Sequence, residues 1–97
     1  MRSNPLTSQK NFTSEKGATP ENFLKLVGKN ELFTILIEGT GYELNVFSAE
    51  EDKGDAQLLV IKGRYWYTSA HSRGGIDDEP FTGRLNKKTM TGWIKPI

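Results

Sequence analysis

The sequence predicts a mainly β domain: a small antiparallel meander of five to seven short strands, closing into a barrel or a compact sandwich, with a candidate short helix near the N-terminus. Three observations carry this. From Glu31 onward, apolar residues alternate with polar ones at the period of a half-buried strand. Glycine recurs at hairpin spacing between the apolar runs. Ala56 to Ala70, AQLLVIKGRYWYTSA, packs Leu58, Leu59, Val60, Ile61, Tyr65, Trp66 and Tyr67 into one stretch, the composition a pleated surface favours.

Residues 1–19 are polar and aperiodic, with only Leu6 and Phe12 as large apolar groups after Met1. They read as a loosely draped segment ahead of a single domain over residues 20–97. Thr19 to Gly28 carries matched helix signals. Thr19 suits an N-cap, Pro20 the first helical position, Glu21 the positive end of the dipole and Gly28 the close. Phe23, Leu26 and Val27 then share one face. A strand over Asn22–Val27 is the competing reading.

Leu32 to Glu38 reads as a strand with Phe33, Ile35 and Ile37 on one face. A tight turn at Gly39-Thr40-Gly41 leads to a second strand, Tyr42 to Ala49, with Tyr42, Leu44 and Val46 on one side and Glu43, Asn45 and Phe47 on the other. Glu50 to Asp55 forms the next turn; Lys53 inside it and the absence of a closing Glu set it apart from a calcium loop. In the central stretch, Lys62-Gly63 is either a two-residue hairpin turn or a kink in one long strand. As one strand it puts Leu59, Ile61, Tyr65 and Tyr67 on the core face and Leu58, Val60, Lys62, Arg64 and Trp66 on the other. A long polar gap, His71 to Pro80, precedes a last hairpin, Phe81 to Leu85 and Thr89 to Ile94, turning at Asn86-Lys87-Lys88. Gly83 and Gly92 suit bulges or barrel corners there, and Pro96 would blunt an open edge.

The chain has no cysteine, which removes disulfides, thiol catalysis, zinc fingers and iron–sulfur clusters. No secretion signal and no run able to span a bilayer is recognisable, so a cytoplasmic setting without membrane contact is expected. Net charge is +1, unevenly spread: residues 1–30 carry +3, residues 31–61 carry −6 and residues 62–97 carry +4. Opposite charges pairing across antiparallel neighbours account for this, or a molecule with one basic face.

Catalytic signals are weak. His71 is the one histidine; it has Ser69, Ser72, Asp77 and Asp78 near it in sequence but no nucleophile elbow. His71 with Asp77, Asp78 and Glu79 is more often a solvated turn than a metal site. Gly39-Thr40-Gly41 lacks the third glycine and the strand–helix context of a dinucleotide fingerprint. No catalytic residue, metal or cofactor is therefore expected, and the domain is read as a non-enzymatic binding module.

The expected partner-binding residues are Lys62, Arg64, Trp66, Arg73, Arg84, Lys87 and Lys88. Arg, Trp and Tyr anchor protein interfaces, so a protein partner meeting Arg64, Trp66 and Arg73, with Tyr65 and Tyr67 in the patch or in the core, is the first reading. The alternative is single-stranded nucleic acid, stacked on aromatics above a basic groove. The closing segment PFTGRLNKKTMTGW resembles in cadence the last hairpin of lipocalin-like barrels, which implies a small-ligand binder as a second alternative. That cadence is common to many β folds and assigns no family.

Overall fold

The computed structural model of the protein describes residues 6–67 and 79–97; there the chain forms a closed barrel in the order β1-β2-β3-β4-β5-β6, every neighbouring pair antiparallel. The strands are β1 (Lys10–Ser14), β2 (Leu32–Ile37), β3 (Thr40–Asp52), β4 (Asp55–Tyr67), β5 (Glu79–Asn86) and β6 (Thr91–Pro96), with helix α1 (Pro20–Leu26) between the first two. The sandwich alternative falls away. Closure pairs the backbone groups that open edges would leave unsatisfied.

The alternation of the sequence becomes the alternation of the sheet. Phe33, Ile35 and Ile37 of β2, Tyr42, Leu44 and Val46 of β3, and Leu59, Ile61 and Tyr65 of β4 all point into the core. Phe81 and Leu85 of β5 and Ile94 of β6 complete the lining. No polar or charged side chain is buried among the described residues.

Two plugs close the ends. At one, Thr19 caps α1: its hydroxyl accepts from the Asn22 N–H at 3.1 Å, and Pro20 opens the helix. The cap aims Phe23 inward, fully buried edge-on against Phe33 with ring centroids 4.8 Å apart. Such burial stabilises by about 1.5–3 kcal/mol. At the other end Tyr42, Tyr65 and Phe81 form an aromatic layer. The Leu6 N–H donates to the Tyr65 hydroxyl at 2.7 Å, so the incoming chain lies over that layer.

Several boundaries differ from those the sequence suggests. The last hairpin, expected to turn at residues 86–88 and resume at Thr89, turns at 87–90 because Asn86 and Thr91 already pair. The loose segment expected over 1–19 is corrected for Lys10–Ser14, which is β1 and closes the barrel against β6 and β2. Phe12 alone supplies its core contact, too little apolar content to show a period. The hairpin option at Lys62-Gly63 gives way to one continuous strand, β4. The β2–β3 turn is Glu38-Gly39 rather than residues 39–41. Both residues sit at positive φ, 53° and 79°, as a two-residue primed turn requires, and Thr40 is already paired with Ile37. The next turn shrinks from six residues to Lys53-Gly54, because Asp52 Oδ1 accepts the Gly54 N–H at 2.7 Å and β3 runs on to Asp52.

Three glycines set the curvature. A Cβ at Gly63 would fall 2.0 Å from the Asn45 carbonyl oxygen, one at Gly83 2.2 Å from that of Trp93, and one at Gly92 1.9 Å from that of Arg84. The β5–β6 register is unbroken through Gly83 and Gly92, so these are corners and not bulges. A bulge lies in β3, where Phe47 is the extra residue between the Val46↔Gly63 and Ser48↔Lys62 pairs, and a second register shift follows at Glu51–Asp52 beside the turn.

Gly92→Ala forces backbone apart and is expected to cost about 1–3 kcal/mol or more. Gly54→Ala, whose Cβ would meet nothing closer than 3.4 Å, is expected to stay within about 0.5 kcal/mol. Urea unfolding of the two variants checks this; equal stabilities would refute the corner assignment.

Candidate partner-binding face

The outward positions of β4, β5 and β6 line up in rows across the sheet. Lys62 pairs with Thr82, and Thr82 with Lys95. One row toward the aromatic end, Arg64 pairs with Pro80. One row the other way, Val60 pairs with Arg84, Arg84 with Trp93, and Trp93 with Asn11 of β1. Strands lie about 4.8 Å apart, so Lys62 and Lys95 stand roughly 10 Å from each other across Thr82. Both lysines are exposed, while Arg64, Arg84 and Trp93 are half-buried. The Arg84 guanidinium lies over the Trp93 ring, 5.5 Å from its centroid.

Acids frame this face. The Trp66 indole N–H donates to Glu43 Oε1 at 2.8 Å, across the Glu43↔Trp66 pair of β3 and β4. Arg84 Nε donates to Asp52 Oδ2 at 2.9 Å, and Lys87 Nζ to Glu51 Oε2 at 3.0 Å. The far end of the β3–β4 hairpin is thereby tied to β5 and its turn. Both ion pairs are partly exposed, which limits each to about 0–1 kcal/mol.

Of the seven expected binding residues, the structure gathers Lys62, Arg64 and Arg84 with Trp66 at one margin. Lys87 and Lys88 do not join them. The β5–β6 turn lies beyond the Leu58↔Asn86 row, and Trp66 is eight residues along β4 from Leu58, roughly 27 Å. Lys87 is moreover engaged by Glu51. Arg73, with His71 and the acids at 77 and 78, lies outside the described residues, as does the Ser69 and Ser72 pairing considered for catalysis. Tyr65 is a core residue, buried in the aromatic layer. Trp93 and Lys95 were not expected at the face; their signal is the alternation around buried Ile94 in Thr91–Pro96.

Among the described residues no three His, Cys, Asp or Glu side chains gather as a metal site would need, and no helix is long and apolar enough to cross a membrane. No protein-family model, curated protein or solved structure matches the chain.

The Gly54 N–H, and after it the Arg84 guanidinium, hold the Asp52 carboxyl below its ordinary value of 3.8. A depressed carboxylate contributes stability that is complete above the ordinary value and is lost as pH falls through the folded one. Asp52→Asn should therefore flatten the loss of stability on acidification below 3.8. Unfolding midpoints of wild type and variant across that range, which should converge at the acid end, check the sign.

Proposed function

We propose that this domain is a non-enzymatic interaction module whose β4–β5–β6 outer face binds an acidic segment of a protein partner. The observation that carries the reading is the Lys62–Thr82–Lys95 row, flanked by Arg64 on one side and the Arg84–Trp93 stack on the other. Two exposed ammonium groups around a hydroxyl suit carboxylates approaching from solvent. The half-buried indole and guanidinium beside them offer the rigid, partly apolar surface on which interface anchors are built. The face sits on paired strands, so its geometry is held before any partner arrives.

Single-stranded nucleic acid remains the second reading, favoured by two indoles and several cations on one side. Two features weigh against it. Glu43 holds Trp66 and would repel a phosphate chain drawn to that ring. The Trp66 row and the Trp93 row are six residues apart along β4, roughly 20 Å, several times the ~3.4 Å rise of stacked nucleotides. A lipocalin-like ligand site draws less support still, since the apolar side chains named above line the barrel axis and α1 with Phe23 plugs one end. A cytoplasmic setting belongs to the same proposal and agrees with a chain free of cysteine.

Titration of the full chain with a fluorescein-labelled glutamate-rich peptide and with a labelled oligothymidine, at about 50 and 200 mM salt, tests the reading. The peptide should bind, and reversing both lysines, Lys62→Glu with Lys95→Glu, should weaken it roughly tenfold, the combined effect of two exposed charge pairs turned repulsive. Binding of the oligonucleotide alone, falling steeply with salt, would transfer the assignment to the second reading. Failure of both probes would end it.

A further inference from the structure

Beyond Asn45, β3 has a neighbour on one side only. Its pairs with β2 run from Ile37↔Thr40 to Leu32↔Asn45 and stop there, while its pairs with β4 continue to Asp52↔Asp55. The Val46 carbonyl is taken by the Gly28 N–H at 2.8 Å, and the Asn30 side chain accepts from Asn45 Nδ2 at 2.7 Å, so the loop after α1 covers the edge up to Val46. From Phe47 to Asp52 the outer edge of β3 meets no other described strand. The side of the same hairpin toward β5 is closed instead: the Lys87 N–H bonds the Gln57 carbonyl at 2.8 Å, and Lys87 and Arg84 hold Glu51 and Asp52.

We propose that the Phe47–Asp52 edge accepts an extended, lysine- or arginine-bearing peptide as an added strand. An open edge offers a peptide alternating donors and acceptors, and pockets or charges along it choose the sequence. Here Phe47, 54% exposed, supplies an apolar contact where the loop cover ends. Glu50 is exposed and makes no ion pair among the described residues, and Glu51 stays 63% exposed despite Lys87. Glu31, also exposed, stands just before β2 where its ladder stops. Lys29 in the loop and Lys53 in the turn lie at the two limits of the edge, leaving carboxylates along its middle.

Charge decides among occupants. A second copy paired antiparallel about Glu50 would set that carboxylate against its own mate, and like charges opposed on a sheet destabilise it. A basic strand instead meets Glu50 on one face of the edge and Glu51 on the other. Nucleic acid is repelled by these carboxylates and lacks the peptide ladder. The bulge at Phe47 and the acidic side chains also guard the edge against uncharged strands. The surface is separate from the basic face of β4–β6, and neither proposal requires the other.

Amide hydrogen exchange of the full chain, with and without an eight-residue peptide alternating lysine and threonine, tests the proposal. Amides within Phe47–Asp52 should exchange at least about fivefold more slowly with this peptide, as open edge groups become bonded. A glutamate–threonine peptide should leave them unchanged. Glu50→Lys should weaken the lysine peptide by roughly three- to tenfold and Glu50→Gln by less, in line with an exposed charge pair. Lys62→Glu with Lys95→Glu, which tests the basic face, should leave the edge untouched. Exchange at 47–52 unaltered by saturating lysine peptide would overturn the proposal. So would equal protection by both peptides, or concentration-dependent protection in the free protein together with dimerisation in sedimentation.

Discussion

The close approach of backbones at Gly63, Gly83 and Gly92 is the constraint on which this barrel rests. Six strands can close around so thin a core only if the sheet coils tightly, and coiling brings neighbouring chains within the space a side chain would occupy. Each of these glycines lies where a carbonyl oxygen of the next strand fills the Cβ position. The lining then adjusts around the gaps. Gly63 separates Ile61 from Tyr65, and Gly83 separates Phe81 from Leu85, so large inward side chains are spaced by absent ones and interdigitate.

The same coil determines what the outside presents. Because β4 runs unbroken through Gly63, Lys62 and Arg64 stay on the outward side across the corner, and the rows of β5 and β6 follow their register. Charge then segregates by strand. Acids concentrate on β3 and its hairpin, cations on β4, β5 and β6, and the two meet at Asp52–Arg84 and Glu51–Lys87. Both accounts of the uneven sequence charge are thus realised in part: some opposite charges pair, and Lys62 and Lys95 remain exposed as a local basic field. Weak pairs of this kind do little for stability and much for orientation, since they hold the projecting hairpin against β5.

How legible this was depends on the kind of signal. Strands with three inward apolar residues in a row, such as Phe33, Ile35 and Ile37, announce themselves by period alone. The Thr19–Gly28 helix is readable because cap, proline and closing glycine agree; only Phe23 then needs tertiary structure to show that it plugs the barrel. Strand β1 was not readable, since a single Phe12 carries its core contact and its pairing is non-local. The Glu38-Gly39 turn was missed for another reason: a non-glycine residue at φ 53° is set by the ladder on either side and not by its own preference. Trp66 and Arg64 could be placed on one face from β4 by itself. That Trp93 and Lys95 neighbour Arg84 and Thr82, and that Lys87 turns away to Glu51, follows only from register, which local sequence does not encode.

A lining of packed aliphatic and aromatic groups leaves a barrel this narrow its outer surface and its ends to work with. α1 occupies one end through Phe23, and Leu6 lies over Tyr65 at the other. Under the reading proposed above, recognition uses strands whose partners already fix them, at little cost in ordering. On the proposed basic face this means mainly side chains, because β5 and β6 are paired on both sides over Phe81–Asn86 and Thr91–Ile94. On the overhang of β3 it means backbone as well, since the hairpin outgrows β2 by Phe47 to Asp52. Unequal strand length is therefore what separates the two surfaces. A β3 that ended at Asn45 would lose this overhang, and with it the anchor that Asp52 gives to Arg84 and so to the stack on Trp93.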